Sequence, residues 1–297
     1  MSVMLTNYHT HSEYCDGTAT AGTMAEAARA AGFSILGFSS HAPLPFRTDW
    51  TMDIEALPSY LDTIRELAVS HAPAMRVLAG LEIDYIEGYC GPSDGRFKAA
   101  GLDYTIGSVH YVSPEGAPRP SVNSFDKNGE PTFGFGVDEG ETDFTAHFER
   151  FYHGDGDSMM LDYWAALARC IRDGGFDILG HFDLVRKNNR NQSLFSEDSE
   201  DYRAAAMAAV DALAGSGIIV EINTGGMARG KTDSPYPALW ILKELKARRV
   251  DICINADAHA PEHLLAHREA AVRLAKDAGY GTLTAIGPEG RFAIPLD

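Results

Sequence analysis

The residues best able to do chemistry in this 297-residue chain are histidines and carboxylates. His9 and His11 flank Thr10, and Asp16 lies just beyond. His41, Glu82, His110 and His181 follow singly, and Asp257 and His259 repeat the one-residue gap near the C-terminus. Two residues apart on a strand, side chains point to the same face, so each pair can hold one ion. Imidazole and carboxylate donors without thiolate suit Zn, Mn or Fe. Nine such ligands exceed the needs of one metal and fit two or three divalent ions that share a bridging carboxylate. A lone histidine carries little weight: His71, His147, His153, His263 and His267 fall in helical or loop stretches. His263 and His267 are four apart but lack an HExxH pattern, and read as a solvated face. Cys15 adjoins Asp16. On an extended stretch its thiol points away from that carboxylate, so it is not expected to ligate.

The ligands close short apolar runs. Val3–Tyr8 leads into His9, Ser34–Ser39 into His41, and Val250–Asn255 into Asp257. Met75–Tyr85 contains Glu82, Tyr104–His110 and Phe176–His181 end in histidines, and Ile218–Asn223 is a seventh run. Amphipathic stretches lie between them, at Thr23–Ala31, Pro58–His71, Asp157–Asp173, Asp198–Ala214, Pro237–Arg248 and Pro261–Ala278. Strands alternating with helices indicate an α/β fold with a parallel sheet, and about seven such units favour a closed barrel. The C-terminal rim of such a barrel is where active sites are built. Residues 1–297 show no linker, repeat or low-complexity tract and read as one domain. The rhythm breaks around 113–143, where Pro114, Pro118, Pro120, Pro131 and the alternating piece Thr132–Asp138 predict an inserted loop or hairpin at the barrel mouth, part of a lid.

Composition narrows the function. Asp+Glu number 42 against 25 Lys+Arg, a net charge of −17, which argues against a nucleic-acid partner. No apolar run is long enough to span a bilayer, and MSVMLTNYHTH has neither the basic nor the apolar region of a signal peptide. Cys15, Cys90, Cys170 and Cys253 form no CxxC pair and read as reduced thiols, which places the protein in the cytoplasm. Oligomeric state has no signature in the chain.

The segments YHTHSEYCDG (8–17), GLEIDY (80–85), GSVHYV (107–112), ILGHFDLVRK (178–187) and NADAHAPEHL (255–264) resemble the PHP (polymerase and histidinol phosphatase) superfamily of metal-dependent phosphoesterases. GFSSHAPLPF (37–46), EINTGGMARG (221–230) and Tyr236-Pro237 are similar to its monofunctional histidinol-phosphatase branch. The resemblance implies a distorted (β/α)7 barrel of TIM-like type with up to three ions. One would be held by His9, His11, Glu82 and Asp257, a second by Glu82, His110 and His181, and a third by Asp16, His41 and His259. Ser39-Ser40 before His41 and the long Gly/Pro-rich stretch Pro114–Glu141 depart from the family pattern.

The implied reaction is hydrolysis of L-histidinol phosphate to L-histidinol and phosphate, in histidine biosynthesis. Metal coordination lowers the pKa of water toward ~7, so a metal-bound hydroxide would attack phosphorus. Three divalent ions bring about +6 and their three carboxylates return about −3, leaving a pocket that attracts a phosphate dianion. Asp257, His259 and Arg229 are expected to act at the reacting phosphate, with Arg229, Arg186 and Lys187 as its clamp. Asp49, Asp84 and Asp183 are candidates for the substrate amine, and Phe46, Trp50 and Tyr111 for its imidazole. Another small phosphorylated metabolite or nucleotide is the alternative substrate. A non-catalytic metal scaffold is disfavoured because no ligand is missing.

Overall fold

The computed structural model describes residues 4–114, 116, 117, 125 and 131–296. The first expected strand therefore begins outside the described residues, at Val3, and much of the expected 113–143 insertion also lies outside them. In chain order the elements are β1 (Leu5–Asn7), α1 (Ala21–Ala30), β2 (Phe33–Phe38), α2 (Leu57–His71), β3 (Arg76–Asp84), β4 (Tyr104–Ser108), β5 (Tyr111–Val112), β6 (Phe135–Gly136), α3 (Glu141–Tyr152) and α4 (Gly156–Asp173). They continue with β7 (Ile178–Leu179), α5 (Glu200–Leu213), β8 (Ile219–Asn223), α6 (Gly225–Ala228), α7 (Leu239–Ala247), β9 (Ile252–Asn255), α8 (Arg268–Asp277), β10 (Thr282–Gly287) and β11 (Gly290–Pro295).

Seven strands form one parallel sheet in the order β1-β2-β3-β4-β7-β8-β9. Its runs are apolar almost throughout because helices cover one face and the barrel interior the other. The two outer strands meet just past their ends. His11 N–H donates to Ala258 O (2.9 Å), and Ala258 N–H donates to His9 O (3.1 Å). Asn255 Oδ1 accepts from Tyr8 N–H (2.8 Å). The sheet is thereby drawn into a TIM-like barrel at the rim that carries the ligands.

The helices start where the sequence offers caps. Thr20, Asp155 and Ser199 accept hydrogen bonds from Thr23, Ser158 and Tyr202 N–H at the starts of α1, α4 and α5. The lower barrel is filled by Tyr8, Ile35, Leu78, Tyr104, Ile106, Ile178, Ile219, Cys253 and Ile286. The Tyr104 ring fits because a Cβ at Gly37 or Gly80 would stand 2.7 or 2.5 Å from it. The antiparallel hairpin β10–β11 was not expected from the sequence. Its Ile286 enters this layer, and Ile286 N–H donates to Tyr8 Oη (2.8 Å). Helix α3 was also not expected: its Phe144, Phe148 and Tyr152 form a buried i,i+4 stripe, but it starts inside the Gly/Pro-rich stretch. The stretch expected as one helix from Pro261 is a short 3₁₀ turn, Pro261–His263, followed by α8. β5 and β6 pair antiparallel across the described part of the 113–143 region.

Candidate metal centre

Strand ends carry the candidate ligands to one place. His9 and His11 extend β1, His41 follows β2 and bridges to Glu82 in β3, and His110 and His181 follow β4 and β7. Asp257 and His259 follow β9. Asp257 sits at φ 48°, a left-handed conformation uncommon for a residue with a Cβ. Gly225 makes room for it, since a Cβ there would lie 2.6 Å from Asp257 Oδ2.

Glu82 is the centre of the arrangement. Its Oε2 lies 3.0 Å from His9 Nε2, 3.1 Å from His41 Nδ1 and 3.5 Å from His11 Nε2. Its Oε1 lies 2.9 Å from His181 Nε2 and 3.7 Å from His110 Nε2, and accepts from Ser108 Oγ (2.6 Å). Asp257 Oδ1 lies 3.2 Å from His11 Nε2 and 3.6 Å from His9 Nε2. At the rim, Asp16 Oδ2 is 3.0 Å from His259 Nε2 and 3.8 Å from His41 Nε2.

Ligand atoms within 4.8 Å of one another group as His9/His11/Asp257, as Glu82/His110/His181, as His11/Asp16/His41/His259 and as His41/Asp84/His110. His9 Nε2, His11 Nε2, His41 Nδ1 and Glu82 Oε2 are buried without a hydrogen-bond partner. Each such orphan costs roughly 1–3 kcal/mol, and divalent cations among them would satisfy all four. The donor set therefore fits the implied ions, and all nine sequence candidates converge here.

Charge in the site follows from its neighbours. Burial raises the Glu82 carboxyl, but His9 and His41 outweigh it and hold the group well below the usual range. Asp257 is likewise raised by burial and carried well below by Arg229 and His9. Burial pushes His41 down to about 3, which favours the neutral ring. Burial also works against a proton on His110, yet the Asp84 carboxylate lifts it to about 10. A metal at that ring must displace a proton.

The centre opens into a cavity of about 290 Å³. Trp50, Tyr111, Leu184, Asp138 and Glu139 form its far wall, and Lys187 and Arg229 stand beside the ligands. Arg229 donates from Nη1 to Asp257 O (3.1 Å) and from Nη2 to Asp257 Oδ2 (3.0 Å), with Nη1 2.8 Å from His259 Nδ1. Lys187 Nζ donates to Asp138 O (2.6 Å) and Oδ2 (3.1 Å).

Residues 7–225 match the PHP domain family. The chain belongs to the PHP family. It is 30% identical over 288 residues to a probable histidinol-phosphatase of Deinococcus radiodurans, covering 94% of this chain and 96% of that one. It is 25% identical to the histidinol-phosphatase of Bacillus subtilis over 84% of this chain and 92% of that one. A solved structure of a Listeria monocytogenes putative histidinol phosphatase superposes with a TM-score of 0.70 at 19% identity, over 88% of this chain and 97% of that one. A Lactococcus lactis histidinol phosphate phosphatase, solved with zinc, L-histidinol and phosphate, gives 0.64 at 19% identity, over 99% and 98%. These two likenesses confirm the PHP barrel.

Several expectations for this PHP site need correction. Arg186 does not line the cavity: its guanidinium is taken by Asp183 (3.0 Å) and Glu197 (2.8 Å). Asp183 Oδ2 accepts from Arg186 and Ala238 N–H, Asp84 Oδ1 lies 2.6 Å from His110 Nδ1, and both carboxylates are buried and do not line the cavity. Asp49 is exposed and does not line the cavity. Phe46 packs among Tyr89, Tyr111, Phe125 and Phe133, behind the cavity wall. Cys15 lies in a turn, not an extended stretch, and its Sγ faces His11 Nδ1 at 3.4 Å. Asp84 and Glu221 stand behind the rings, against His110 Nδ1 and His9 Nδ1. Glu221, Asp138 and Glu139 were missed. The signal for Glu221 was a lone carboxylate inside the apolar run IIVEIN.

Proposed function

We propose that this PHP protein is a metal-dependent phosphomonoesterase that hydrolyses L-histidinol phosphate to L-histidinol and phosphate, a step of histidine biosynthesis. The observation that carries this reading is the clustering of nine candidate ligand side chains, seven of which line one cavity together with Arg229 and Lys187. The relationship to histidinol-phosphatases over nearly the full chain supports the substrate.

In this reading His9, His11, Asp16, His41, Glu82, His110, His181, Asp257 and His259 hold two or three divalent ions, of Zn, Mn or Fe. When bound, such ions supply Lewis acidity, activation of water and charge neutralisation at phosphorus. The residues of the chain do the rest. Arg229, held in place by Asp257, directs its guanidinium into the cavity as a donor to phosphoryl oxygens. Lys187 adds a second positive charge from the loop after β7, steadied by Asp138. Trp50 and Tyr111, stacked at 6.2 Å, give the organic part of the substrate an aromatic wall. Hydrolysis forms one P–O bond to water and breaks the ester P–O bond, and the departing alkoxide takes up a proton.

The test is phosphate release by metal-loaded protein from L-histidinol phosphate beside a panel of small phosphomonoesters. A strong preference for L-histidinol phosphate is expected. Weak, even activity across the panel would remove the histidinol assignment and leave a general PHP phosphatase.

A further inference from the structure

We propose that Glu221 is a positioning residue that couples two of the ion positions, by holding His9 and His181 through one buried carboxylate. The inference rests on the metal-centre reading above. Glu221 is itself in none of the ligand groups and has no exposed surface. It meets His9 on the side away from the centre: Nδ1 lies 3.1 Å from Oε1 and 3.0 Å from Oε2, while Nε2 faces Glu82 and Asp257. A carboxylate there fixes the proton on Nδ1, leaves the Nε2 lone pair for an ion, and makes the ring a better donor.

The same carboxylate reaches the second position through the main chain. Oε1 accepts the His181 N–H at 2.8 Å. β7 is only two residues long, and its last ladder bond, from Gly180 N–H to Gly107 O, precedes His181. The bond to Glu221 fixes the N–H side of the His181 backbone, whose carbonyl accepts from Leu184 N–H (3.0 Å), and from that backbone His181 Nε2 meets Glu82. The third ion position, at Asp16, His41 and His259, has no contact with Glu221.

The carboxylate is locked in turn. Asn223 Nδ2 donates to Oε1 (2.6 Å) and Asn255 Nδ2 to Oε2 (2.8 Å). Both amides are oriented unambiguously, because their oxygens accept Gly225 N–H and Tyr8 N–H, each at 2.8 Å. Donors thus approach Glu221 from His9, His181, Asn223 and Asn255. A glutamine in its place would turn an NH₂ group toward some of them.

The experiment is metal analysis of the whole protein after equilibration against a competing chelator, for wild type, Glu221→Gln and Glu221→Asp. In Glu221→Gln, two ions should weaken together by about 10- to 100-fold while the third stays within about threefold of wild type. Glu221→Asp keeps the charge but withdraws it from His9, and should show the same two-ion pattern with a smaller loss; it carries the test if Glu221→Gln does not fold. Unchanged affinities, loss of one ion alone, or parallel loss of all three would overturn the proposal. Wild-type protein that binds no divalent ion would instead overturn the metal-centre reading.

Discussion

Replacing Arg229 by lysine tests whether the guanidinium is the phosphate clamp. The side chain spans Asp257 O, Asp257 Oδ2 and His259 Nδ1 at 2.8–3.1 Å and still faces the cavity. A lysine ammonium keeps the charge but is a single point. It cannot hold Asp257 and present a planar pair of N–H donors to a phosphoryl group together. At least one hydrogen bond to a charged partner is lost, worth about 1.5–3 kcal/mol, which corresponds to roughly a 10- to 150-fold fall in kcat/KM. Arg229→Ala also uncovers the buried Asp257 carboxylate and should fall further. The assay is steady-state phosphate release from L-histidinol phosphate, with metal content measured on the same samples so that a lost ion is not mistaken for a lost clamp. Arg229→Lys with full metal content and kcat/KM within about threefold of wild type would refute the argument.

Other outcomes follow from the same geometry. Chelator dialysis should abolish activity and added Zn, Mn or Fe should restore it; a chelator-insensitive activity would contradict the metal centre. Glu82→Gln removes the carboxylate shared by His9, His41 and His181, and metal analysis should show more than one ion lost. Trp50→Ala removes an aromatic face from the cavity wall and should raise KM for L-histidinol phosphate about 3- to 10-fold, from a contact worth roughly 0.5–1.5 kcal/mol. Gly80→Ala places a Cβ 2.5 Å from the Tyr104 ring; the strain of about 1–3 kcal/mol should lower the Tm by several degrees, with metal ligation intact, as calorimetry can check. Cys15→Ser should keep the full metal content, because the thiol faces His11 Nδ1, not the Nε2 that meets Glu82 and Asp257.

What could be read from the sequence, and what could not, divides by the range of the interaction. The seven barrel strands were legible as apolar runs, and the cluster of nine candidate ligands because each stands at or near the end of such a run. Residue type and local spacing sufficed there. Pairing between distant residues was invisible. Arg186 and Lys187 are adjacent in sequence and alike in charge, yet Glu197 and Asp183 withdraw one while Asp138 holds the other at the cavity. The hairpin β10–β11 is tied to Tyr8, more than 270 residues away, through Ile286. The same holds for Glu221, whose partners lie just past β1 and β7 and on β9 as well as on its own strand. A lone carboxylate in an apolar strand nevertheless carries a physical signal, one that was passed over for Glu221. Its burial requires donors around it, and in a barrel whose rim is lined with histidines the nearest donor in need of a partner is the far nitrogen of a metal ligand. An unexplained charge inside such a strand is thus a sequence-level pointer to the layer that supports a metal site, even where the partner cannot be named.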